Sequence, residues 1–197
     1  MHPPRRCSPQ PRGSQAASRC PWTVDAEAGY GMQPPEVVAA LLSAGAAGCN
    51  LEDTDHATGS PRDPDRQADW LRAVREAASE DGYGLVINAR VDVFLGPFLA
   101  GAGAGTQEEL VPEALRRATA YLDAGGDCIY PIALWETEAL RSFMSEIRGP
   151  VNVIRGAESP SLTELAALGV ARVSWGPSLY WEAMARFEER LGSLQEQ

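Results

Sequence analysis

Val24-Asp25-Ala26-Glu27-Ala28-Gly29-Tyr30-Gly31 is a short apolar strand pattern that ends in alternating carboxylates and then breaks into a glycine turn. Residues i and i+2 of a strand share a face, so Asp25 and Glu27 project together just before Gly29-Tyr30-Gly31. The arrangement returns along the chain. Asn50 and Glu52 share a face in Gly48–Asp53, with Asp53 on the other; Asn88 and Arg90 share one in Gly84–Asp92; Ser174 ends Ala171–Trp175 beside Gly176-Pro177. Polar and ionisable groups therefore gather at the C-terminal ends of successive strands, where parallel α/β sheets and barrels build their sites.

Around these segments the chain alternates regularly. Strands are expected at Trp22–Glu27, Gly48–Asp53, Gly84–Asp92, Cys128–Ile132, Pro150–Ile154 and Ala171–Trp175, each short, apolar and partly β-branched, as buried parallel strands are. Helices are expected between and after them, near 35–45, 64–80, 107–124, 135–148, 160–168 and 177–192. Pro34-Pro35 opens the first, and Asp63-Pro64 sets a cap before a proline in the first turn. Glycine stops follow at Ala44-Gly45 and Ala124-Gly125-Gly126. Strict βα alternation implies a parallel sheet with right-handed crossovers. Periodicity leaves two closures open, a doubly wound sheet and a (β/α) barrel.

The bulk numbers narrow the chemistry. A chain of 197 residues, 44% hydrophobic and 22% charged, has room for one cored domain. No apolar run approaches the roughly 20 residues that span a bilayer. A formal charge of −10 argues against nucleic acid and anionic membranes as partners. All 17 basic residues are Arg, so no lysine is present for Schiff-base chemistry. Cys7, Cys20, Cys49 and Cys128 include no C-x-x-C pair, and Cys49 and Cys128 lie in apolar segments, as buried thiols of a reducing cytoplasm do. Residues 1–21, rich in Pro, Arg and Ser, are expected to be a disordered leader, with one α/β domain over 22–197. Gly101-Ala102-Gly103-Ala104-Gly105 reads as a flexible insertion, since it lacks the strand-to-helix context of a phosphate-binding loop.

Carboxylates crowded at one point repel unless a cation sits among them, and an all-oxygen set suits Mg²⁺, with Mn²⁺ as a second choice. An arginine opposite would grip carboxylate or phosphonate oxygens in a bidentate fork. The plainer alternative is that these are strand-end residues capping helices or pairing with arginines.

VDAEAGYG (Val24–Gly31), AGAAGCNLED (Ala44–Asp53), INARVDVFL (Ile87–Leu95), PVNV (Pro150–Val153) and LGVARVSWGP (Leu168–Pro177) together resemble the isocitrate lyase/phosphoenolpyruvate mutase superfamily, in the right order. The resemblance implies a (β/α)8 TIM-type barrel, here truncated to about six βα units. It implies Asp25, Glu27 and Glu52 around the metal, with Asp25 as a direct ligand, and Arg90 on the substrate. Asn88, Asn152 and Ser174 are further candidate substrate-binding positions at the strand ends. The implied partners are a small carboxylate or phosphonate substrate and, as in relatives, further copies of the chain.

Several departures stand out. Glu27 occupies a position usually held by Asp. In place of the Lys-x-Cys-Gly-His loop of the lyases the chain reads Thr54-Asp55-His56-Ala57-Thr58-Gly59, which has no thiol and leaves His56 or Asp55 as candidate acid/base. Tyr130-Pro131-Ile132 stands where several relatives place a carboxylate. Two βα units that precede VDAEAGYG in relatives are replaced by residues 1–21, so the chain is expected to begin at an internal start or to derive from a degraded gene, and to be poorly soluble or inactive as written. The implied activity is Mg²⁺-dependent C–C cleavage of a 2-oxo or 2-hydroxy dicarboxylate through an enolate. Phosphonate (P–C) mutase or hydrolase chemistry and a non-catalytic remnant that binds metal or a partner are the alternatives. An open-sheet nucleotide-binding domain is disfavoured because no G-x-G-x-x-G follows a strand.

Overall fold

All six expected strands form, each within two residues of its expected bounds. They are β1 (Thr23–Asp25), β2 (Gly48–Glu52), β5 (Val86–Val91), β6 (Cys128–Pro131), β7 (Asn152–Ile154) and β8 (Arg172–Ser174). The expected helices are α1 (Pro34–Ala44), α2 (Pro64–Glu80), α4 (Gln107–Asp123), α5 (Thr137–Glu146), α6 (Leu162–Ala167) and α7 (Ser178–Gln195). This computed structural model describes residues 20–101, 107–156 and 158–195. The expected disorder of residues 1–19, and most of the Gly101–Gly105 insertion, lie outside the described residues.

Local signals act where the sequence places them. Asp63 caps α2, its carboxylate accepting the Arg66 N–H at 3.1 Å, with Pro64 in the first turn. Gly45 ends α1 in the left-handed conformation at φ 73°. Three elements escaped the periodicity. A two-residue antiparallel pair, β3 (Thr54–Asp55) with β4 (Ser60–Pro61), builds a small hairpin beyond β2, and α3 (Leu95–Leu99) follows β5.

Strand order decides the closure that periodicity left open. β1, β2, β5 and β6 are parallel neighbours in that order, and β7 pairs β8 in parallel. A parallel bridge from Ile129 to Val151 joins β6 to the β7 segment, and the Ile129 N–H donates to the Pro150 carbonyl at 2.9 Å. Chain order equals spatial order throughout, with no reversal at which a doubly wound sheet would change direction. This is the singly wound order of a TIM-type barrel. The outer edges of β1 and β8 have no partner strand among the described residues.

Alternation sorts the strand residues by face. Cys49, Leu51, Ile87, Ala89, Val91, Ile129, Val151 and Val153 are buried among Val37, Val38 and Leu41 of α1, Leu71 and Val74 of α2, Ala114, Ala118 and Tyr121 of α4, and Leu140 and Phe143 of α5. Burying each such aliphatic side chain contributes roughly 1.5–3 kcal/mol. The helix-facing side is therefore the core, and the alternate residues are polar. Helix α7 is different: Tyr180, Trp181, Phe187, Leu191 and Leu194 are all exposed. Among the described residues no helix is long and apolar enough to cross a membrane.

Cys49 lies in this core, and loss of hydration pushes its thiol up to about 12. At pH 8 only about 10⁻⁴ of it would be thiolate. A disulfide reagent such as Ellman's should leave Cys49 unmodified in the native chain and modify it after unfolding in guanidinium, read by mass spectrometry of its peptide. Equal rates in the two states would contradict this packing.

Candidate active site

The inward residues form level rows across the sheet. Asp25, Asn50, Asn88 and Cys128 are register partners in one row, and Glu52, Arg90 and Tyr130 in the next. One residue beyond the Ile129–Val151 bridge Asn152 comes level with Tyr130, and Arg172 pairs with Asn152. At the C-terminal ends of all six strands these rows open into a cavity of about 480 Å³, lined by Asp25, Asn50, Arg90, Tyr130, Arg172 and Ser174 among others.

Arg90 is held rather than free. Its Nε donates to Asp92 Oδ1 at 2.7 Å, and its Nη2 to Asp92 Oδ2 at 2.9 Å and Glu52 Oε2 at 2.6 Å. Thr54 donates its hydroxyl to Asp92 Oδ2, so the hairpin beyond β2 helps fix the same carboxylate. Glu52, 3% exposed, has His56 Nε2 at 2.8 Å from its other oxygen. Burial pushes the Glu52 carboxyl up from its usual range and Asp92 and Asp25 add to this, while Arg90 and His56 oppose it. Asp25 differs in lining the cavity with no salt-bridge partner among the described residues; its Oδ1 accepts only the Glu27 N–H, at 3.2 Å.

Glu27 does not continue the strand as alternation implies. The chain enters the left-handed region at Glu27 (φ 46°) and again at Tyr30 (φ 52°), conformations that cost non-glycine residues energy and concentrate at functional sites. Gly29, at φ 84°, closes the turn; a Cβ there would sit 2.7 Å from the Trp70 ring. The turn carries Glu27 out of the Asp25 row into a second cavity of about 310 Å³ with Tyr30, Asp55, His56 and Arg62, where its carboxylate lies 3.9 Å from His56 Nε2. Asp25 and Arg90 thus share one cavity, Glu52 bridges to it through Arg90, and Glu27 and His56 meet Glu52 from the other side.

Among the described residues no three His, Cys, Asp or Glu side chains are grouped closely enough to hold a metal ion as they stand. The donor chemistry nevertheless fits a hard cation. Asp25 offers a carboxylate without a salt-bridge partner among the described residues, and Glu52 and Glu27 are further oxygen donors that would join it only by turning from Arg90 and His56 and from the second cavity.

Deeper in the sheet, Asn88 Nδ2 donates to Asn50 Oδ1 at 2.7 Å, and the Ser174 hydroxyl donates to Asn152 Oδ1 at 3.0 Å. Asn88 Oδ1 and Asn152 Nδ2 remain without partners, although the two residues are only 2% and 0% exposed. Orphaned buried polar atoms mark places where a ligand or water belongs.

Three contributors escaped the sequence reading. Asp92 follows Arg90 by two residues, the spacing that puts both on one face, and could have been found that way. Tyr130 was noted only as a missing carboxylate, yet it is buried in the cavity wall with its phenol raised by burial. Arg172 precedes Ser174 by the same spacing, but its place beside Asn152 depends on β8 lying beside β7.

The phosphoenolpyruvate phosphomutase family model matches residues 12–195. The 2-methylisocitrate lyase of Escherichia coli (strain K12) is 29% identical over 191 residues, covering 90% of this chain and 60% of that protein. Among solved structures, a protein of Burkholderia cenocepacia J2315 assigned as a phosphonomutase is 42% identical, with a TM-score of 0.79 over 88% of this chain and 69% of its own. A phosphonopyruvate hydrolase, solved as a complex with oxalate and Mg²⁺, shares the fold at 23% identity and a TM-score of 0.71, over 91% of this chain and 62% of its own. The chain spans about 60% of the length of the curated lyase it matches. A singly wound parallel sheet, polar strand ends and a family match running nearly the whole chain lead to one conclusion: this protein belongs to the phosphoenolpyruvate phosphomutase family, within the isocitrate lyase/phosphoenolpyruvate mutase superfamily.

Proposed function

We propose that this site serves Mg²⁺-dependent cleavage of the C–C bond next to the oxygenated carbon of a 2-hydroxy or 2-oxo dicarboxylate. The observation that carries the reading is the pairing, in one cavity, of a carboxylate without a basic partner, Asp25, with a guanidinium fixed in orientation, Arg90. Asp25, Glu27 and Glu52 would hold the cation, Asp25 directly. When bound, Mg²⁺ would supply Lewis-acid stabilisation of the charge that builds on oxygen. Arg90, oriented by Asp92, donates to substrate oxygens. Asn88, Asn152 and Ser174 supply neutral polar contacts from the cavity floor. His56 would be the acid/base group: with its Nε2 held by Glu52, its Nδ1 would take the hydroxyl proton of a 2-hydroxy substrate, the C–C bond breaks with its electrons received as an enolate, and a proton returns to the carbon so released.

A specific observation favours P–C chemistry as a second reading. The β3–β4 hairpin carries no cysteine where the lyases place one, and the 42%-identical relative is assigned as a phosphonomutase.

One assay separates the readings. The chain, with Mg²⁺ or Mn²⁺, is offered 2-methylisocitrate or phosphonopyruvate, and pyruvate is followed through lactate dehydrogenase. Pyruvate with succinate from the first compound, abolished by EDTA, supports the C–C reading. Pyruvate with phosphate from the second (hydrolase), or pyruvate that forms from it only when ADP and pyruvate kinase are added to consume phosphoenolpyruvate (mutase), supports the P–C reading. No pyruvate from either, with either metal and with pyruvate kinase and ADP present, overturns both and leaves the non-catalytic remnant.

A further inference from the structure

Two charged groups of the main cavity lack an opposite charge, and they stand at opposite ends of the sheet. Asp25 is on β1 and Arg172 on β8, and both line the cavity. Arg90, between them, faces the carboxylates of Glu52 and Asp92, so its positive charge is already countered twice over. Arg172 has no salt-bridge partner among the described residues. It is therefore the cavity's uncompensated cation.

A second observation points to a ligand at this place. Arg172 is the register partner of Asn152, whose Nδ2 is buried and unpartnered, and Ser174, two residues further along β8, donates to the other end of that amide. The β7–β8 wall thus brings a guanidinium to the cavity surface, with the unused amide donor of its register partner buried in the sheet beside it, and a guanidinium suits an anion's oxygens. Burial raises both the Tyr130 phenol and the Cys128 thiol; the Ser174 hydrogen bond, Arg90 and, less, Arg172 oppose the rise at Tyr130, and Arg172 opposes it at Cys128.

We propose that Arg172 is a specificity-determining residue that receives a second anionic group of the substrate, a distal carboxylate or phosphonate, at the end of the cavity away from Asp25. The inference rests on the functional reading above and sharpens it: the ligand class is a short 2-oxo acid with charge at both ends. From β5 to β8 is three strand spacings of about 4.8 Å. Side chains projecting inward from a curved sheet shorten that span, so Arg90 and Arg172 can address the two ends of one small molecule.

Calorimetric titration of the full chain in Mg²⁺ with two probes tests this. Oxalate chelates a cation but carries no distal group, whereas 3-phosphonopyruvate has both. Arg172→Gln should weaken phosphonopyruvate binding about tenfold or more, leave oxalate within about twofold, and be partly rescued by Arg172→Lys. Circular dichroism melts of the variants confirm folding. Equal losses for both probes, or no loss for either, overturn the role of Arg172. Oxalate binding by the unaltered chain that is indifferent to Mg²⁺ instead overturns the metal reading, while a selective phosphonopyruvate loss would still uphold Arg172. If the unaltered chain binds neither probe, both readings fall.

Discussion

Asp25→Asn is expected to weaken Mg²⁺-dependent oxalate binding by more than about 100-fold, with little change in thermal stability. Losing an outer-shell partner of a metal site already costs about 10–100-fold, and Asp25 is proposed as a direct ligand. Its carboxylate is the strand-end acid without a salt-bridge partner among the described residues, Arg90 acting on it only at longer range, so no direct protein cation neutralises it. Glu52, by contrast, is divided between Arg90 at 2.6 Å and His56 at 2.8 Å. Asparagine keeps the size and one acceptor oxygen but removes the charge, which is most of the attraction for a hard divalent cation. Because Asp25 is exposed, the exchange should alter stability by no more than about 0.5 kcal/mol. Titrating oxalate into both proteins, with and without EDTA, gives the comparison. A variant that binds oxalate as tightly as the parent in Mg²⁺ would remove Asp25 from the metal site.

Asp53→Asn should do the reverse and destabilise the scaffold. Asp53 is 0% exposed and lies on the face of the chain opposite Glu52. Its carboxylate accepts the Tyr121 hydroxyl at 2.7 Å, Arg117 Nη1 at 2.9 Å and the Asp92 N–H at 2.9 Å. Burial pushes the Asp53 carboxyl up, and the bonds from Tyr121, Asp92 and Arg117 oppose that rise. Removing one partner of a buried ion pair costs about 3–5 kcal/mol, because the other charge stays behind uncompensated. Here that charge is the Arg117 guanidinium, whose side chain is 9% exposed and which keeps Glu113 at 2.8 Å, so the lower end of that range is expected. Against a typical stability of about 5–15 kcal/mol the loss is large, and it corresponds to a fall in Tm of roughly 6–20 °C. The site should suffer too, since Asp53 holds the backbone at Asp92 and Asp92 holds Arg90. A melting temperature within about 2 °C of the parent would show that the network contributes little.

The elements themselves were legible in the sequence because their signals are local. Short apolar runs between glycine and proline breaks marked all six strands, and Asp63-Pro64 and Gly45 acted as helix signals where they stand. Side-chain alternation also placed Asn50, Glu52, Asn88 and Arg90 on one face and Asp53 on the other. The β3–β4 hairpin stayed hidden because two-residue strands are too short to show a period. Glu27 left its expected row because one residue at φ 46° ends the alternation, and no pattern in side-chain type announces that torsion.

By itself, then, the sequence determined the βα alternation, the polar strand ends and, through five matching segments, the family. Tertiary structure alone decided that the sheet is wound in one direction, that Glu52 and Asp92 enclose Arg90, and that Arg172 faces the same cavity as Asp25. The physical reason is range. Alternation is set by torsions and sterics within a few residues, whereas the neighbour of a strand is chosen by hydrogen bonds between segments tens of residues apart. A side chain's charge becomes a site only when that long-range pairing sets it level with its partners.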